Sequence, residues 1–132
     1  MEPLKLSSRR LLAGVVVVVV AGDLDVTVAG QVEEFVRQAR RHPGDHLVFD
    51  LEELASLDGA GLQVLLDARA HAERHGAGVH LAAARPGTAL LLAGSRLRLH
   101  ETVESALHAA LIGSLAASRP GLGGEDGIPA TA

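Results

Sequence analysis

Six consecutive valines, residues 15–20, restrict the fold of this chain more than any other stretch. β-Branched side chains are stiff at χ1, crowd a helix and pack well on a pleated surface. The run has no polar alternation, so a strand built from it shows apolar side chains on both faces and needs a covering layer on each. The segment also imitates an export signal, because Arg9-Arg10 precede an apolar run over 11–21. That run is too short to span a bilayer, which takes about 20 residues. It stops at a turn-like Gly22-Asp23, and a helical pattern that needs a strand as its floor comes next. The expected fate of residues 12–21 is therefore a buried strand.

With 132 residues, 48% of them apolar, the chain suffices for one domain with a substantial core. Two Phe and no Trp or Tyr leave almost nothing on which nucleic-acid bases could stack. Twelve basic against sixteen acidic residues give a net charge of −4, and the basic pairs Arg9-Arg10 and Arg40-Arg41 form no larger cluster along the chain. Nucleic acid is excluded as the expected partner. There is no cysteine, hence no disulfide, thiolate nucleophile or cysteine-ligated zinc, which agrees with a cytoplasmic protein. No membrane insertion is expected.

Residues 4–6 alternate and read as a short edge strand. A helix is expected over 29–41, with Val32, Phe35, Val36 and Ala39 on its inner face and Pro43-Gly44 ending it. Residues 46–51 form the second buried strand. A helix over 59–75 buries Leu62, Leu65, Leu66 and Ala70 and is stopped by Gly76 and Gly78. A strand over 79–83 completes a strand–helix–strand unit whose right-handed crossover makes it parallel to 47–51. A short helix over 88–93, a brief strand over 97–99 and a last helix over 101–117, with Val103, Leu107, Leu111 and Leu115 four apart, finish the domain. Residues 118–132, SRPGLGGEDGIPATA, have the composition of a disordered tail. The fold class is α/β: one domain over 1–117, a mixed sheet of about four to five strands covered by about four helices.

Chemistry concentrates in LVFDLEELASLDGAGLQVLLDA, residues 47–68. A strand runs through an acidic connector into a helix whose first N–H groups are unpaired and favour an anion. Asp58 is placed to cap that helix. Yet residue 60, at the helix mouth, is Ala and has no oxygen to accept a phosphoryl group.

Three segments in register, GDLD at 22–25, the stretch 47–82, and LLLAGSRLRLHETVESALHAAL at 90–111, resemble the STAS family, whose founding members are bacterial anti-sigma factor antagonists. Gly22-Asp23-Leu24-Asp25 matches the family's Gly-Glu-Leu-Asp turn, and Asp50-Leu51 its Asp-Leu at the end of the central strand. Asp58-Gly59-Ala60-Gly61-Leu62 matches Asp-Ser-Ser-Gly-Leu, in which the second Ser is phosphorylated by an anti-sigma kinase; here it is Ala60. Ser105 stands where a Glu is common in the last helix. The resemblance implies partner binding through Asp25, Asp58, Gly59, Ala60, Gly61 and Leu62, with an ATP-binding anti-sigma factor kinase as partner and no switching by phosphate at Ala60. Alternatives are a STAS subunit resting on the ATPase of an ABC lipid-transport complex, or a scaffold module of a signalling assembly.

Other groups suggest chemistry less strongly. His71 and His75 share a helix face, but the HExxH order is absent and no metal is expected. Asp23, Asp25, Asp50 and Asp58 lack a nucleophile, an orienting base or an oxyanion donor set, so no enzyme and no cofactor is expected. Ser56 and Ser95 read as ordinary loop serines.

Overall fold

The computed structural model describes residues 2–117. Strands β1 (Lys5–Leu11) and β2 (Val15–Leu24) are followed by helix α1 (Ala29–Ala39), strands β3 (His46–Asp50) and β4 (Leu54–Leu57), and helix α2 (Gly59–Arg74). Strand β5 (Val79–Ala82), helix α3 (Pro86–Leu92), strand β6 (Arg98–His100) and helix α4 (Val103–Ala117) complete the order. The sheet runs β1-β2-β3-β5-β6, with β4 paired to the end of β2. β1 is antiparallel to β2, and the remaining pairings are parallel, including β3 with β5 as expected. The mixed sheet thus has six strands rather than four or five, under four helices. The tail expected over 118–132 lies outside the described residues.

The valine run is covered on both faces. Val16, Val18 and Val20 join Leu47, Phe49 and Leu81 in the larger core, closed by α1 and α2. Val15 and Val17 face the other way and meet Val48, Ala82, Ala106 and Ala110 beneath α4. The strand itself is displaced from 12–21 to Val15–Leu24, because residues 12–14 form the turn that joins it to β1. β1 is longer than the three residues expected, since each position from Lys5 to Leu11 finds a partner on β2. Arg10, half of the signal-like pair, reaches from β1 to grip the buried carboxylate of Asp45 with both guanidinium nitrogens. Burial alone would push that carboxyl up; the Arg10 hydrogen bonds and the His42 N–H outweigh it and hold its pKa below the ordinary value.

Gly22 at the end of β2 has φ +93°, and a Cβ there would lie 2.2 Å from the Pro3 carbonyl oxygen. Only glycine lets the N-terminal segment cross the strand so closely. In α1, Val32 and Val36 are buried, with Phe35 and Ala39 partly so. In α2 the buried set is Gly61, Val64, Leu65 and Ala72, flanked by Leu62, Leu66 and Ala68; Ala70 is exposed, contrary to expectation. In α4 the expected leucine line is also corrected. Ala106 and Ala110 face the sheet, Leu107 and Leu111 flank them, and Leu115 is 57% exposed. Small side chains let the helix lie close on the β-branched surface below it.

Candidate functional site at the mouth of α2

The last residues of β2, the turn after it, β4 and the first turn of α2 meet at one edge of the sheet. Asp58 joins them. One carboxylate oxygen accepts the Gly61 N–H at 2.8 Å, the helix cap expected of it, and the other accepts the Val26 N–H at 3.0 Å. The Asp58 N–H in turn donates to the Leu24 carbonyl at 3.2 Å. Asp25 does not reach across to Asp58; its carboxylate accepts from the N–H and hydroxyl of Thr27 and shapes the turn that carries Val26. The sequence-predicted residues are thus brought together through a backbone link, with Val26 between them.

The glycines flanking Ala60 differ. A Cβ on Gly59 would meet nothing within 4 Å, whereas one on Gly61 would lie 2.6 Å from the Leu24 carbonyl oxygen and 2.8 Å from Leu24 and Leu57 side-chain carbons. Gly61 is therefore a packing residue that lets α2 approach β2 and β4, rather than a point of approach for a partner. Asp58 and Gly59 are exposed, Ala60 is half-exposed, and Leu62 is half-buried against the core. Val26, 70% exposed, stands on the loop that Asp58 holds. Leu90 and Leu91 on α3 are likewise solvent-facing, at 79% and 59%. Sequence reading missed all three, because an apolar residue in a turn or an LLL run looks the same whether it is buried or not.

The nearby hydroxyls and carboxylates are engaged locally. The Ser56 hydroxyl donates to Asp23 at 2.7 Å, and that bond, with the Glu2 N–H, holds the Asp23 pKa below its ordinary value. Ser95 donates to the Leu92 carbonyl at 2.6 Å, and Asp50 accepts the Glu52 N–H. Among the described residues no group of three or more His, Cys, Asp or Glu is arranged to hold a metal ion. His71 and His75 are exposed, with ring centroids 4.9 Å apart, and His75 Nδ1 lies 3.0 Å from the His71 carbonyl oxygen.

A second polar group lies under α4. His46 and His80 are buried, His46 Nδ1 accepts the Gly78 N–H at 3.0 Å, and His80 Nδ1 lies 3.0 Å from His100 Nε2. Burial, then the neighbouring His100, Arg98 and His46, push His80 down to about 4. These histidines belong to the layer beneath α4, not to the α2 mouth.

Among the described residues no helix is long and apolar enough to cross a membrane. No curated protein sequence matches the chain. Among solved structures, an anti-sigma factor antagonist from Mycobacterium paratuberculosis superimposes with a TM-score of 0.65 at 25% identity, over 82% of this chain and 94% of that one. The anti-sigma factor antagonist SpoIIAA in its unphosphorylated form gives 0.63 at 15% identity, over 83% and 99%. The murine anion transporter Slc26a9 gives 0.67 at 15% identity, over 78% of this chain and 18% of the transporter. The family model described as "Mlab, STAS domain" matches residues 8–103. A six-stranded mixed sheet with this site at its edge, and a family match over most of its length, place the chain in the STAS family.

Proposed function

We propose that the protein is a cytoplasmic, non-enzymatic anti-sigma factor antagonist that binds an ATP-binding anti-sigma factor of the kinase type, so releasing a sigma factor and raising transcription. The docking surface is the edge that carries Asp25, Val26, Asp58, Gly59 and Ala60, with Leu62 contributing its outer side and Gly61 supporting from within. The observation that carries this reading is the half-exposed Ala60 at a helix mouth whose cap, loop and packing are all intact. In a switching member of the family, a phosphate added here would bring charge and bulk onto the docking surface. Alanine cannot accept it, so docking stays permanently available. Structural likeness to antagonists, one of them at 25% identity, supports the assignment.

A second reading is a STAS subunit of an ABC lipid-transport complex; the similar unit within the anion transporter Slc26a9 shows only that this fold also occurs in transport proteins. Affinity capture from the protein's own host, without added ATP, separates the two. Retention of an ATP-binding anti-sigma factor that then binds the purified protein directly is expected. Retention of an ABC ATPase with its permease overturns the antagonist reading in favour of transport.

A further inference from the structure

At the other end of α2 a cleft of about 440 Å³ opens between α1 and α2. Its apolar lining is Val36, Val64, Ala68 and Pro43, and Arg37, Arg40, Arg41 and Arg74 stand around it with His42 and His71. Four of the chain's twelve Lys and Arg residues thus converge on one depression of a protein whose net charge is −4. Two acids, Glu33 and Asp67, also line it, leaving the cleft positive. Basic residues in a helix's last turn are ordinarily explained by its dipole, which accounts for Arg37 and Arg74. Arg37 also pairs with Glu34 outside the cleft.

Arg40 and Arg41 lie beyond the last residue of α1, and that explanation does not cover them. The half-buried Arg40 spends its hydrogen bonds on the carbonyls of Asp45 and Pro43, while the Asp45 carboxylate is taken by Arg10 and the His42 N–H. Its burial lowers its pKa, with Asp45 opposing. From α2, Arg74 points a guanidinium nitrogen at His71 Nδ1, 3.4 Å away. The His71 pKa is lowered, first by partial desolvation and then by Arg40.

We propose that this cleft binds an organic phosphate monoester, its dianionic head held by Arg41 and Arg74, with Arg40, engaged by the Asp45 and Pro43 carbonyls, adding positive charge behind them, and its apolar body on Val36, Val64 and Ala68. Guanidinium groups match phosphate oxygens in bidentate geometry, and a dianion answers more than one of them. The volume lies within the range of small-molecule sites. The site is separate from the mouth at Ala60 and does not depend on the partner bound there.

The test is a titration of the isotope-labelled protein with 1-naphthyl phosphate, followed by amide chemical shifts, with 1-naphthol and inorganic phosphate as controls. Shifts over 36–42 and 64–74, with those of 58–61 unmoved, are expected. Arg41→Glu and Arg74→Glu, both at exposed positions, should each weaken binding about tenfold while leaving the circular dichroism unchanged. Each control should bind at least about tenfold more weakly than the ester. Absence of shifts, affinity unchanged in both variants, or shifts confined to 58–61 overturns the proposal. Equal binding of inorganic phosphate would show an adventitious ion only and overturn it as well.

Discussion

Gly59 and Gly61 sit on either side of Ala60, one facing open space and the other pressed against the Leu24 carbonyl. The same five-residue stretch therefore serves two ends. Its inward half, Gly61 against Leu24 and Leu57, fixes how closely α2 packs on β2 and β4. Its outward half, Gly59 and Ala60 with Val26 and the rim of Asp58, is presented on a surface that the inward half holds in place. The difference teaches that family resemblance in this motif mixes two kinds of constraint, packing and recognition. Under the proposed function, only the outward half can change a partner or lose a switch without unfolding the domain.

Substitutions separate the halves. Gly61→Ala forces a Cβ into a backbone carbonyl that cannot swing away, and should destabilise the domain by about 3 kcal/mol, measured by denaturant unfolding. Cost-free replacement would show that the two halves are not distinct. Acid should act next, and on the α4 face rather than on the mouth. His80 is neutral in the folded protein, with its pKa pushed down to about 4 from 6.5, while the unfolded chain takes up the proton near its ordinary value. Stability is therefore fully present above about pH 6.5 and lost as pH falls through 4, by about 2 kcal/mol for this group. His80→Gln should flatten the slope of unfolding free energy between those values, and an unchanged slope would place the titration elsewhere.

Asp58 belongs to both halves. Asp58→Ala should cost about 1 kcal/mol through the lost cap and the freed Val26 loop. Asp58→Lys, which also reverses the charge at the rim, should abolish partner docking with the fold intact by circular dichroism. Docking that survived in a folded Asp58→Lys protein would move the binding surface elsewhere. Gly59→Ala is expected to change stability by no more than about 0.5 kcal/mol. A loss as large as that at Gly61 would erase the contrast between the two positions.

The long covered strand, α1 and α2, the parallel crossover and the capping role of Asp58 were all legible in the sequence, because each rests on a local signal: an unbroken apolar run, a helical period, a polar residue before it. β4 was not. It has four residues, follows Glu52-Glu53, carries its buried Leu54 and Leu57 three apart, and pairs with β2 across an irregular register. Long-range pairing made it a strand where its own pattern suggested a connector. In α4 the leucines drew attention while Ala106 and Ala110 made the close contact, since packing distance selects size as well as hydrophobicity. At the site, Ala60 and Asp58 were readable from the motif. The role of Gly61 needed the position of the Leu24 carbonyl, and the exposure of Val26, Leu90 and Leu91 needed the whole fold.

The central claim is that the mouth of α2 docks a kinase-type anti-sigma factor without being switched by it. It is tested most directly by titrating the purified anti-sigma factor with the wild-type protein and with Ala60→Ser, before and after incubation with Mg-ATP. The wild type should take up no phosphate and keep one affinity throughout, while Ala60→Ser should incorporate phosphate and then lose affinity. Phosphate on the wild type, at Ser56 or Ser95 for example, with release of the partner would contradict the account.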